Sequence, residues 1–351
     1  MSRTTTQRAA GNQGESAMGS ERTRDVGHSA PDPAAGQPDT TSHRAGVPQI
    51  VLGISALIVI LLSAFAWPAL NTEPRGVPVA IAAPAAAAAG IEQQIAAGAG
   101  EDAFEVTVLD DRAAAEAAIR DREVYGAIVV GPSGGETLIA TAASPVVAAA
   151  LTQLAAAVPA DAGGPLTVTD VVPLPAEDPR GAGLGSAILP LLMGGMAAGI
   201  GASLALGARG QRLAAVGGVS VVGGLAAALI LQTWLGALGG NYWLLSGALA
   251  LGIAAIGYAL VGLGQALGRA GIGLGAAVMM LLGNPLSGVT SAPELLPTPW
   301  GALGQLLPPG AAGSLLRSVS YFDGAAAAGP VLVLACWIAG GIALALLPGR
   351  R

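Results

Sequence analysis

The sequence predicts a polytopic α-helical membrane protein with about six transmembrane helices and a small extracytoplasmic α/β domain between the first and second of them. Two observations predict the membrane class. Of 351 residues, 53% are apolar and 11% charged, with mean hydropathy +0.64, whereas soluble domains carry about 25% charged residues. Uncharged apolar runs also recur at roughly the 20-residue length a helix needs to cross hydrocarbon. A third observation predicts the α/β domain: after the first run, charge returns and the apolar stretches shorten to strand length.

Residues 1–46 are rich in Ser, Thr, Gly, Pro, Gln and charge, with no apolar period. Such a segment cannot bury enough surface to offset its ordering entropy, so a disordered cytoplasmic tail is expected. Both histidines, His28 and His43, fall here and leave none for a folded site. Residues 47–67 form the first expected membrane helix, preceded by Arg44 and closed by Trp67, a residue suited to the membrane interface. The rival reading is a cleaved signal peptide, because Ala64-Phe65-Ala66 has the small-x-small form. Its apolar run and its leader are both longer than such peptides usually have.

Residues 68–182 read as the α/β domain. Strands are expected at Val77–Ala82, Glu105–Leu109, Gly126–Val130, Thr137–Thr141 and Leu166–Val172, and helices at Ala85–Ala97, Arg112–Arg122 and Val146–Val158. Arg112, Glu116 and Arg120 are spaced four apart and should pair along one solvated helix face. The adjacent acids Glu101-Asp102 and Asp110-Asp111 suit turns and helix caps. Gly131-Pro132-Ser133-Gly134-Gly135 suits a hairpin turn better than a phosphate cradle. Pro173, Pro175 and Pro179 are expected to form a stiff linker into the membrane.

Residues 183–351 read as a five-helix membrane domain, with helices at Leu184–Leu206, Leu213–Leu235, Trp243–Leu263, Gly271–Val289 and Val331–Leu347. Apart from arginines at their borders these stretches are uncharged, which disfavours a proton-driven carrier. Cys336, the one cysteine, reads as a small buried hydrophobe. All 16 basic residues are arginine. Arg44, Arg209, Arg212, Arg269, Arg350 and Arg351 can all lie on one side, so the positive-inside rule places both termini in the cytoplasm and residues 68–182 outside, in the plasma membrane. All but two of the 22 acids precede Gly181, the exceptions being Glu294 and Asp323. Small-xxx-small pairs (Gly195/Gly199, Gly236/Gly240, Gly264/Gly268, Gly271/Gly275) favour close helix packing.

The most informative stretch, about 290–328 with its lead-in, runs Asn284-Pro285-Leu286-Ser287-Gly288, Pro293-Glu294-Leu295-Leu296-Pro297, then Leu306-Leu307-Pro308-Pro309-Gly310 to Leu315-Leu316-Arg317. Prolines separate apolar pieces too short to span, which predicts a re-entrant hairpin of short helices on the outer side. Its candidate residues are Asn284, Pro285, Gly288, Glu294, Pro297, Pro308 and Arg317, with Glu294 and Arg317 a possible ion pair.

This order, and these three runs, resemble the membrane subunits of type-2 ABC exporters and the related phage-infection-protein-like membrane proteins. Phe104-Glu105-Val106 and Tyr125-Gly126-Ala127-Ile128-Val129-Val130 are similar to strands of that family's external domain. The resemblance covers about residues 47–348, mostly as layout. It implies a permease subunit, homodimeric or heterodimeric, that exports an amphipathic or envelope-related substrate and is powered by a separate cytoplasmic ATPase. Arg209, Gln211 and Arg212 are then the candidate ATPase contacts, although they equally suit a purely topological role. Without a lysine the chain has no P-loop of its own. One departure keeps a second reading open, that of an envelope scaffold or receptor: residues 25–46 lack the amphipathic helix on which such ATPases dock. The chain is not expected to be an enzyme, to hold a metal or cofactor, or to bind nucleic acid. One cysteine and two tail histidines supply no zinc set or catalytic triad, and no basic run with interleaved aromatics is present.

Overall fold

The computed structural model describes residues 46–131, 134–156 and 166–348. The expected tail with His28, His43 and Arg44 lies outside the described residues, as do Pro132, Ser133, Val158, Arg350 and Arg351. The first helix, α1 (Val47–Leu70), carries through Pro68. From Val51 onward Pro68 is its only buried residue, so its apolar side chains are left for lipid.

The α/β domain follows as β1 (Val77–Ala82), α2 (Ala85–Ala99), β2 (Phe104–Leu109), α3 (Arg112–Arg120), β3 (Gly126–Gly131), β4 (Gly134–Ile139), α4 (Pro145–Ala156) and β5 (Thr167–Asp170). The five strands lie in the order β2-β1-β3-β4-β5. β1 pairs in parallel with β2 and β3, β3 and β4 form an antiparallel hairpin closing at Gly131 and Gly134, and β5 runs parallel to β4. The strand period of two sorts the core. Val77, Val79 and Ile81 face Ala88 and Ile95 of α2 and Leu151 of α4. Ala80 and Ala82 face Ala115, Ala118 and Ile119 of α3. The sheet is thus covered on both faces, as its parallel pairs require.

α3 meets the expectation for its solvent face. Arg112 and Arg120 bond Glu116 at 2.8 and 2.9 Å, and the Asp111 side chain caps the helix by accepting from the Ala114 N–H. The sequence spacing did not reveal Glu136 on β4, which accepts from Arg112 at 2.8 Å and from the Thr169 hydroxyl at 2.6 Å. These two donors hold the Glu136 carboxyl below its ordinary range. A depressed folded-state value means that the stabilisation is present above the unfolded carboxylate value, near 4.3, and is lost as pH falls through the folded value. Glu136→Gln should therefore melt at most about 3 °C below the wild type at pH 7. The gap should narrow and close as pH falls below the ordinary carboxylate range. A gap that persists there would show that the carboxylate's charge is irrelevant.

The membrane half comprises α5 (Ala182–Ala205), α6 (Arg209–Ala228, prolonged by a widened turn to Trp234), α7 (Tyr242–Leu267), α8 (Arg269–Ala277, prolonged by a widened turn to Gly283), α9 (Trp300–Gln305), α10 (Pro308–Tyr321) and α11 (Ala328–Leu346). α7 is the buried axis against which α5, α6, α10 and α11 pack. Of the four small-residue pairs, Gly195/Gly199 brings α5 onto α7, and Gly271/Gly275 seats α8 against Leu260 and Leu263. Gly236 and Gly240 instead serve a loop at positive φ, and Gly268 turns the chain between α7 and α8.

Two expectations are corrected. Among the described residues five helices, α1, α5, α6 with its widened turn, α7 and α11, are long and apolar enough to cross a membrane. The expected span Gly271–Val289 is instead a shorter helix, Arg269–Gly283, because Pro285 has no N–H to give and its ring blocks continuation. Cys336 is exposed on α11 rather than buried. The proline segment after β5 is anchored at both ends. Val171 and Val172 enter the α3-side core, and the Asp178 carboxylate accepts from the Ala182 and Gly183 N–H groups at 2.9 and 2.6 Å, capping α5.

Candidate functional site

The Pro-broken segment is built from its own local rules. After the widened turn of α8, Asn284 accepts at its carbonyl from the Ser287 hydroxyl at 2.7 Å, across a single tight turn, Pro285–Ser287. Gly288 then takes φ of 63°, a conformation that glycine adopts without a Cβ penalty. A second tight turn spans Pro293–Leu295, and Pro308 opens α10 at a first-turn position, where its missing N–H costs nothing. Gln305 donates to the Ser287 carbonyl at 2.8 Å and accepts from Ser314 at 2.6 Å, tying α9 to the first turn and to α10. Trp337 of α11 donates to the Leu306 carbonyl at 2.8 Å. α10 is buried at nearly every position. Short helices stand ahead of the last one; α10 is covered by protein, whereas α9 buries only Gly301 and Gly304.

What covers the segment in part is the α/β domain. The Glu73 and Arg75 N–H groups donate to the carbonyls of Leu295 and Glu294 at 3.0 and 3.1 Å. Ala292 and Leu295 join the α2/α4-side core of the sheet, and Phe322 joins the α3-side core. The two halves of the chain therefore share apolar cores.

A polar cluster sits at this junction. Arg122 follows α3 with φ of 62°. Its N–H bonds the Ile119 carbonyl, and the Glu123 N–H bonds the Ala118 carbonyl, which is the Schellman closure of a helix with arginine where glycine is usual. A side chain in that conformation costs about 1 kcal/mol or more, and such strain persists where the surroundings hold it. Here the guanidinium donates to the Ser314 carbonyl and the Ser318 hydroxyl, and lies over the Phe322 ring at 5.4 Å. Burial and the neighbouring Arg317 push its pKa down to about 10. The Tyr125 hydroxyl donates to Glu294 at 2.8 Å, and burial together with that carboxylate raises its pKa.

The pairing of Arg317 with Glu294 that the sequence left open does not form. Only 3% exposed, Arg317 donates to the Val289 carbonyl at 2.6 Å, and its Nε has no partner. Tyr125 has taken the carboxylate instead. Among the described residues neither Arg122 nor Arg317 has a carboxylate within ion-pair distance. The cluster of Arg122, Arg317 and Glu294 thus carries one net positive charge.

Beside the cluster lies a cavity of about 690 Å³, lined among others by Arg122, Tyr125, Glu294, Leu306, Leu332 and Val333. That is within the roughly 300–1,000 Å³ of small-molecule sites. The remaining predicted residues are dispersed. Asn284, Pro285 and Gly288 line a separate hollow of about 280 Å³ near the end of α1. Pro297 is half-buried and borders neither space, and Pro308 is buried within α10. Arg209, Gln211 and Arg212 lie at the start of α6. Arg209 donates to the Leu346 carbonyl at 3.3 Å, Arg212 to the Leu206 carbonyl at 2.7 Å, and Gln211 is exposed. Arg122 and Tyr125 were missed from sequence. Their partners lie 169 or more residues away, and no local spacing marks them.

The sheet has a second concavity, about 560 Å³, at the carboxyl ends of β1 and β3, where strand order reverses and α/β folds commonly bind ligands. Of its charged residues, Asp111 is engaged as a helix cap and Arg112 with Glu116 and Glu136, while Asp110 is exposed. Among the described residues no group of acids, cysteine or histidine could hold a metal ion.

These elements are those of a helical membrane protein bearing a sheet domain. No family model matches the chain, and no curated protein or solved structure does.

Proposed function

We propose that the chain is the membrane subunit of an ABC-type exporter that moves an amphipathic or envelope-related substrate outward, powered by a separate cytoplasmic ATPase. The observation that carries this reading is the order of parts: one membrane helix, the α/β domain, a helical bundle, a Pro-broken segment folded into short helices of which α10 is buried, and a last apolar helix. The lack of charged residues in the long helices beyond the arginines that open α6 supports it, because energy would then have to come from a partner rather than from an intramembrane proton relay. In this reading the Arg209 and Arg269 ends of the helices face the cytoplasm, the α/β domain lies outside the plasma membrane, and two membrane subunits form the path. Exposed Gln211 marks the face that the ATPase would touch. An ATPase subunit should co-purify with the wild-type chain from its native membranes and be lost from Gln211→Trp. Repeated isolation of the wild-type chain without one would overturn the proposal.

The engagement of Arg209 and Arg212 by helix-end carbonyls favours a second reading, an envelope scaffold or receptor, because it gives both arginines a structural role within this chain. A scaffold would capture a partner through the α/β domain whether or not Gln211 is changed.

A further inference from the structure

We propose that the 690 Å³ cavity beside Arg122 binds an anionic amphiphile: one acidic head group on a single apolar chain. The inference does not rest on the exporter reading and would hold for a scaffold equally.

The head-group end is argued from charge. Arg122 and Arg317 are desolvated, and the one carboxylate nearby, Glu294, is already bonded by Tyr125. Buried cations without a partner are unfavourable, and proteins pair them or neutralise them. Only one guanidinium nitrogen of Arg122 is engaged by the protein, Nη1, which donates to Ser314 and Ser318. A carboxylate or phosphate accepting from the free edge would supply the missing negative charge, in the forked geometry that arginine offers. The strained backbone at Arg122 points the same way: glycine would close α3 without strain but would leave the cavity only Arg75, a cation already paired with Glu73.

The chain end is argued from the apolar part of the lining. Leu306, Leu332 and Val333 line it, and Leu306 and Leu332 are 58% and 65% exposed. Leu332 and Val333 belong to α11, a helix apolar enough to cross a membrane. The cavity therefore offers both a buried cation and apolar lining suited to an alkyl chain. Its volume suits one acyl chain better than a two-chain lipid.

The test uses the full chain in nanodiscs of uncharged phosphatidylcholine. Radiolabelled dodecanoate should bind saturably at one site per chain, and dodecanol, which has the same tail without the charge, at least tenfold more weakly. Arg122→Gly should weaken dodecanoate binding at least tenfold while leaving the melting temperature within a few degrees, and Arg122→Lys should recover part of it. Equal binding of dodecanoate and dodecanol would overturn the proposal, as would wild-type affinity in Arg122→Gly. Discs doped with phosphatidylglycerol test the two-chain source. Complete displacement of dodecanoate by that lipid, at one lipid per chain, would overturn the single-chain assignment. Should Arg122→Gly unfold, the dodecanoate and dodecanol pair on the wild-type chain decides alone.

Discussion

Gly199→Leu should unfold the helical bundle, with a loss of at least about 1–3 kcal/mol from overpacking. A Cβ at this position would lie 2.7 Å from the Gly257 carbonyl oxygen and 2.8 Å from Cβ of Leu260, so α5 could accept it only by moving away from α7. α7 is the helix on which the others pack, and the displacement would propagate to α6, α10 and α11. Gly201→Leu is the control: it lies on the same helix with nothing within 4 Å of its would-be Cβ, and should be neutral. Thermal melts followed by size-exclusion chromatography in detergent would check both. Equal losses from the two substitutions would mean that helix propensity or insertion is responsible, and the packing argument would fail.

Leu295→Ala should be of comparable size, about 2–5 kcal/mol. Leu295 is 4% exposed and sits in the α2/α4-side core of the sheet, although it belongs to the Pro-broken segment far along the chain from that sheet's hairpin at Gly131 and Gly134. Truncating it should loosen the segment from the α/β domain and make the Pro297–Trp300 stretch accessible to protease. Leu295→Met preserves the volume and should cost less than about 1.5 kcal/mol. A wild-type melt for Leu295→Ala would show that the shared core contributes nothing to stability.

The sequence made the apolar helices legible because length and lack of charge are read along one dimension. The strands were legible for a similar reason, through short apolar runs bounded by Pro, Gly and Asp. Even the pairing of Arg112, Glu116 and Arg120 needed only a four-residue period. Where the reading missed, the cause was contact between distant segments. Glu294 looked like a partner for Arg317 because both lie in one uncharged stretch, but Tyr125 reached it first from β3's approach. Arg122 looked like the last residue of a helix, whereas its backbone leaves the helix and its side chain crosses to α10. The expected sixth span failed for a local reason: Asn284-Pro285 carried more weight than the apolar composition around it. The candidate site was thus half visible, with the Pro-broken segment evident and the groups that meet it from the sheet not.

The joint cores leave the two halves of the molecule without a hinge at this contact. Phe322 is clamped on one face of the sheet and Leu295 on the other, so the segment between them, α10 included, behaves as a strut held at both ends. A tilt of the sheet would be delivered as a push on α7 rather than absorbed by a loop, and a ligand gripping Arg122 would press on that same strut.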